Sequence, residues 1–217
     1  MGSGESSSTG GAEQPRRVTL TPAARRVLEA AERLFYERGI HAVGVDLIAA
    51  EAGVTKKTLY DRFGSKEQIV VEYLAGRDER WRTFLAQYVD DHHDAAHATP
   101  RARVLAVFDA ARAWSAEQAS KGCSMVNAHA EISDPAHPAH AVITGQKEWM
   151  LAQFTGLAQD LASDAPNGGL DADCLGRTLM LLHEGALVAH GLKIFPDPLV
   201  LAREQAEALL KSYGTAI

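Results

Sequence analysis

A chain of 217 residues, 46% of them apolar, can bury one large or two small cores, and no apolar run reaches the length of a membrane span. A net charge of −6 argues against a uniformly basic nucleic-acid binder, and the two cysteines, Cys123 and Cys174, lack the spacing of a metal site or a disulfide framework. No signal-peptide pattern is present, so the expected setting is soluble, reducing and cytoplasmic, without membrane partner, metal or cofactor.

The total charge conceals a division. Residues 16–66 hold ten Lys/Arg against six Asp/Glu, a balance of +4, while residues 67–217 hold twelve against twenty, a balance of −8. Attraction to phosphate is therefore local to the first part, and the acidic remainder discourages loose binding.

Met1 to Gln14 is Gly/Ser-rich and aperiodic, so residues 1–17 read as a disordered tail, with Arg16 and Arg17 solvated in it; a basic arm that adds to a DNA contact is the alternative. Thr21 as cap and Pro22 at the first helical position open a helix that Gly39 closes, its apolar stripe formed by Leu28, Ala31, Leu34 and Phe35. Two short helices follow. Ile48, Ala49 and Ala52 lie at helical spacing before Gly53, which suits a left-handed turn. Thr55 then caps a helix that buries Leu59 and Phe63 and offers Thr55, Lys56, Lys57, Thr58, Tyr60, Asp61 and Arg62 outward. A glycine turn between short helices, the second of them polar, describes a helix-turn-helix, and three helices are expected to share its small core.

Ser65 and Gln68 form a capping box for a helix running to about Val89, long enough to leave this unit and enter another. His92, His93, Asp94 and His97 lie in an Ala-rich connector with no complementary ligand cluster nearby and read as a solvated linker. Helical periodicity then continues from Thr99 to about Gly122, from Ser124 to Ile132, through Ile143 to Leu161, from Asp171 through Ala189, and from Asp197 to Tyr213, with a loop at Pro166 to Gly169. No strand-like alternation appears. The expectation is an all-α fold of about nine helices, with a helix-turn-helix domain over residues 18–66 and a second helical domain over 67–217.

The run GIHAVGVDLIAAEAGVTKKTLYDRFGSKEQIV, Gly39 to Val70, resembles the DNA-binding domain of TetR-family transcriptional regulators, most tellingly in Ala52 to Glu67. The resemblance covers about 50 residues and implies a homodimeric repressor that binds a double-stranded DNA operator and answers to a small-molecule effector in its C-terminal domain. On matching positions it implies that Thr55 and Lys56 contact backbone and bases, that Tyr60 packs on the DNA backbone and thymine methyls, and that Lys66 pairs with phosphate. Four positions depart from the family pattern. Lys57 stands for a usual glycine, Asp61 and Arg62 for an aromatic and a histidine, and Gly44 for a capping hydroxyl residue. Arg62 has the geometry to read guanine, and Asp61 to meet a cytosine amino group or pair with Arg62. These departures bear on which operator is read.

In the second domain the small residues Gly185, Ala186 and Ala189 suit close helix approach, and with Leu201, Ala208 and Leu209 they become the dimer interface that the resemblance implies. Trp114, Met125, Trp149, Met150, Phe154 and His183 are large or adaptable side chains suited to a ligand pocket, with Asn127, His129 and Glu131 as polar groups that would orient a ligand if they face inward. Ordinary core packing, and solvent exposure for the polar three, are the bland readings of the same residues. Cys123 sits at a prospective helix N-terminus, which favours a thiolate and suggests an alternative repressor sensing oxidants or electrophiles; a buried inert cysteine is the plainer reading. No phosphate loop, nucleophile elbow or catalytic histidine spacing points to an enzyme.

Overall fold

The structure, a computed structural model, describes residues 17–92, 99–164 and 171–214. Nine helices and no strand occur among the described residues. They are α1 Pro22–Arg38, α2 Val45–Glu51, α3 Lys56–Phe63, α4 Lys66–His92, α5 Pro100–Gln118, α6 Ser124–Glu131, α7 Ala139–Asp164, α8 Ala172–Leu192 and α9 Pro198–Gly214. The predicted caps are in place: the side chains of Thr21, Thr55, Thr99 and Asp171 each accept from a backbone N–H of the first helical turn. Ser65 does the same for Gln68 at 3.1 Å. The histidine connector (His93, Asp94, His97) and the Pro166–Gly169 loop lie outside the described residues, as does all but Arg17 of the predicted tail.

Two apolar cores organise the chain. The first gathers Val27, Leu34 and Phe35 of α1, Ile48 of α2, and Leu59 and Phe63 of α3, but does not close on those three helices. Ile69, Val70, Tyr73 and Leu74 of α4, Met125 and Ala128 of α6, and Ala139 and Ile143 at the start of α7 belong to it as well. The physical reason is size: about forty residues bury too little surface to hold a unit alone. The expected division between residues 66 and 67 therefore runs through a continuous core.

The second core packs Trp81 and Leu85 of α4 with Phe108 of α5, Met150 and Phe154 of α7, Leu175 and Leu179 of α8, and Leu199 and Leu210 of α9. Helix α4 thus contributes one half to each core, and its 27 residues span about 40 Å at 1.5 Å each. The α5–α6 connector passes very close to α8. A Cβ on Gly122, whose φ is 77°, would lie 2.6 Å from the Leu187 carbonyl oxygen and 3.3 Å from Gly191 Cα, so only glycine fits.

Candidate nucleic-acid interface and interior cavity

Gly53, at φ 61°, turns the chain from α2 into α3, and Val54 N–H returns to the Ala49 carbonyl at 3.0 Å. Thr55 Oγ1 accepts from Thr58 N–H at 3.1 Å and lies 2.9 Å from Thr58 Oγ1. With Leu59 and Phe63 buried, α3 presents Thr55, Lys56, Lys57, Tyr60, Asp61 and Arg62 to solvent, with Thr58 half-buried. Lys56 Nζ lies 2.9 Å from Asp46 Oδ1 across the turn, and Lys57 Nζ 2.7 Å from Asp61 Oδ2 one turn on. Asp61 is thus matched with Lys57 rather than Arg62, and Arg62 projects with no ion pair among the described residues. The i, i+4 spacing of Lys57 and Asp61 was the available signal. Lys66 Nζ donates to the Ile40 carbonyl at 2.7 Å and ties the start of α4 to the loop after α1. Arg17 does not trail away: its Nε lies 2.9 Å from Oε2 of the buried Glu72, whose Oε1 accepts from Val18 N–H at 2.5 Å.

A cavity of about 60 Å³ lies between α4, α5, α7, α8 and the α5–α6 connector. Three of the expected ligand residues, Trp114, Met125 and His183, line it. Met150 and Phe154 sit one layer deeper: the Met150 sulfur accepts from Trp81 Nε1 at 3.2 Å, and the Phe154 ring packs 5.6 Å from that of His183. Trp149 faces away, under the Arg82 guanidinium at 4.3 Å. The other two are exposed, Asn127 donating to the Lys121 carbonyl at 3.0 Å and His129 packing on the His140 ring at 5.7 Å. Glu131, half-buried at the end of α6, accepts from the backbone N–H of His41 at 2.8 Å and so faces the DNA-binding unit.

The polar wall of the cavity contains groups that the sequence reading passed over. Lys147 Nζ lies 2.7 Å from Glu184 Oε2 and donates to Cys123 Sγ at 3.1 Å. Burial pushes the Glu184 carboxyl up, but the hydrogen bond from His183 and the Lys147 ammonium outweigh it and hold the group at about 2. Burial works against the Lys147 ammonium too, and Cys123 and Glu184 together still raise it above its ordinary value. Asp78 and Gln146, also passed over, line the cavity together with the expected His183. Each carries a buried polar atom with no hydrogen-bond partner among the described residues: Asp78 Oδ1, Gln146 Oε1 and His183 Nε2. A signal for them existed. They fall on the apolar stripes Leu74–Asp78–Trp81–Leu85, Ile143–Gln146–Met150–Phe154 and Leu179–His183–Leu187, where a polar side chain must face inward.

The cavity wall is tied to the helix-turn-helix unit. Arg77 donates to the Gln118 carbonyl, and its guanidinium lies 4.6 Å over the Tyr36 ring of α1. Next along the connector, Lys121 N–H donates to Tyr36 Oη at 2.7 Å and Lys121 Nζ to the Glu37 carbonyl at 2.5 Å.

On the far side, α8 carries an exposed stripe of Leu181, Gly185, Val188 and Leu192, continued by Ile194 and Phe195. Leu201 and Ala208 of α9 are exposed and Leu209 half-buried, while Ala186 and Ala189 point inward and are buried. Of the three small α8 residues expected at an interface, Gly185 alone stands on the open face.

Polar α3, its glycine turn and the buried support of α1 and α4 define a helix-turn-helix DNA-binding regulator. Residues 27–73 match the family described as bacterial regulatory proteins, tetR family. A TetR-family transcriptional regulator of Streptomyces coelicolor is 32% identical, the match covering 88% of this chain and 94% of that one with a TM-score of 0.72. A second structure, a TetR-type transcriptional regulator from Streptomyces avermitilis, is 29% identical over 90% of this chain and 99% of its own, with a TM-score of 0.71. The chain belongs to the TetR family of transcriptional regulators. The transcriptional activator FasR of Mycolicibacterium smegmatis is 38% identical over 71 residues, so the shared stretch spans 33% of this chain and 32% of FasR. Among the described residues no helix is long and apolar enough to cross a membrane.

Proposed function

We propose that the protein is a homodimeric repressor in the cytoplasm that leaves a palindromic DNA operator when a small molecule enters the cavity beside Trp81 and Trp114. The observation that carries this reading is the cavity itself, lined by Trp81, Trp114 and His183 beside a connector bonded to α1 through Tyr36 and Glu37. A ligand that prefers one placement of that connector shifts the helix-turn-helix units toward the same state, and it acts only through its differential affinity. Dimerisation uses the α8 stripe of Leu181, Gly185, Val188 and Leu192 with Leu201, Ala208 and Leu209 of α9. An apolar patch of this kind on a monomer marks an interaction site. Two copies then present two recognition helices to two half-sites.

In the bound state Thr55, Lys56, Lys57 and Thr58 hold phosphate and fix register, Tyr60 packs on the backbone, and Arg62 reads a base edge, with Asp61 biasing its neighbours. Lys66 reaches phosphate by exchanging its bond to the Ile40 carbonyl. The test combines a gel shift at fixed salt on two-half-site DNA with sedimentation of the same samples. Tyr60→Ala should abolish tight binding while the dimer survives. Leu181→Asp with Leu192→Asp should dissociate the dimer, and a dimer that persists would remove this interface.

A second reading is favoured by one contact, Lys147 Nζ at 3.1 Å from Cys123 Sγ. An ammonium beside a thiol lining a cavity suits a sensor of oxidants or electrophiles. If oxidants release Cys123→Ser from DNA as readily as the parent protein, that reading fails. A binding role without turnover accounts for the cavity in either case.

A further inference from the structure

At the C-terminal end of α6, Glu131 lays its carboxylate against the loop between α1 and α2. Its Oε2 accepts from His41 N–H at 2.8 Å. A Cβ on Gly39, whose φ is 88°, would lie 2.8 Å from that oxygen and 3.2 Å from Oε1, so a side chain there would displace the carboxylate. From the other side, Lys66 Nζ donates to the Ile40 carbonyl at 2.7 Å. The Ile40 carbonyl and the His41 N–H are the two halves of one peptide group, coplanar and pointing in opposite directions. A carboxylate of the second domain and the lysine that opens α4 therefore hold the same peptide by its two ends.

Each end acts on the other. A planar peptide cannot turn its N–H without turning its carbonyl, and an N–H given to a carboxylate leaves the carbonyl a stronger acceptor. Glu131 thus favours the state in which Lys66 stays on the loop. The phosphate-bound state of Lys66 gives that bond up. We propose that Glu131 is a positioning residue for the DNA contact: it holds the Ile40–His41 peptide as the resting partner of Lys66 and so sets how readily the lysine passes to phosphate. The inference rests on the phosphate role of Lys66 proposed above. Because Glu131 stabilises only one of the two lysine states, its removal shifts the balance toward DNA. The same route reaches the cavity, since Ser124 and Met125, at the opposite end of this eight-residue helix, line it.

The test uses the full chain and, at fixed salt, a duplex selected from random sequence by the parent protein. Glu131→Ala should bind it about threefold more tightly than the parent, and Glu131→Gln, which keeps an acceptor but not the charge, should fall between. In a Lys66→Met background, itself weakened, Glu131→Ala should change nothing. The His41 amide proton of the free protein gives a second readout. Glu131→Ala should move it upfield, and Lys66→Met or added duplex should move it the same way to a smaller extent. Glu131→Ala that weakens binding by the same factor in both backgrounds would overturn the proposal, since the carboxylate would then only brace the loop. So would a His41 amide that ignores Lys66→Met. If Lys66→Met leaves the affinity unchanged, the phosphate contact fails and the proposal fails with it. A weakened Lys66→Met in which Glu131→Ala acts as it does in the parent breaks the proposal alone.

Discussion

Lys57–Asp61 on the recognition helix and Lys147–Glu184 between α7 and α8 are both lysine–carboxylate contacts of 2.7 Å, in opposite surroundings. The outer side chains are 83% and 57% exposed, the inner ones 23% and 21%. An exposed pair gives up its partner for little, because water already screens both charges. It is a reserve of charge that phosphate or a base edge can claim. A mostly buried pair has paid its desolvation and fixes the shape around it, here a cavity wall bonded to the DNA-binding unit. Similar distances therefore license different uses, and each use can be broken separately.

The largest effect is expected from acid. Glu184 titrates near 4.5 in the unfolded chain and at about 2 in the folded one. A depressed carboxyl adds stability that is fully present above its unfolded value and is lost as pH falls through its folded value. The window is thus roughly pH 4.5 down to 2, and the full loss is on the order of 3 kcal/mol. Denaturant melts of the parent and Glu184→Gln should differ in slope across that window and run parallel above it. Parallel curves throughout would show that the inner pair holds nothing. Lys147→Met should cost somewhat less, about 2 kcal/mol, because it leaves a partly wetted carboxylate with only its His183 contact. Lys57→Ala should move the same melt by under about 0.5 kcal/mol.

On DNA the ranking reverses. Arg62→Ala should lose about 2 kcal/mol of operator affinity and relax one base position, since its guanidinium is free to make a bidentate base contact. Lys57→Ala should cost less than about 1 kcal/mol, evenly over all sequences, and flatten the salt dependence. Competition binding against base-substituted operators at fixed salt separates the two, and an Arg62→Ala loss that is the same on every sequence would make Arg62 a phosphate contact.

The difference between the regions also explains what could be read in advance. The helix-turn-helix is local: Thr55, Gly53, Leu59 and Phe63 lie within one short stretch, and capping and periodicity place each of them without knowledge of the rest. The helices among the described residues, and the caps Thr21, Thr55, Thr99 and Asp171, follow from the same local rules. The cavity is not local, since Asp78, Gln146 and His183 come from three helices and meet only through packing. Their register on apolar stripes shows that they turn inward, but not that they converge. Asn127 and His129 fail for a related reason: the face of an eight-residue helix is set by its neighbours, and α6 gives Met125 and Ala128 to the first core, leaving those two outside. Ala186 and Ala189 went the same way, because small size suits close packing inside the chain as well as between chains.

The smallest effect concerns Gly44, the N-cap of α2, which offers no side chain to the helix end. A Cβ there would meet nothing within 4 Å, and the backbone, at φ −86° and ψ 158°, is ordinary for a capping serine. Gly44→Ser should raise folding stability by only a few tenths of a kcal/mol. The hydroxyl would still stand at the N-terminus of a helix beside the recognition helix, where a phosphate oxygen is a natural partner. If α2 meets the DNA backbone, operator affinity should rise several-fold on every sequence while the melt barely moves. Equal, small gains in both measurements would mean that the serine only caps its own helix, and that contact is confined to α3 and the residues flanking it.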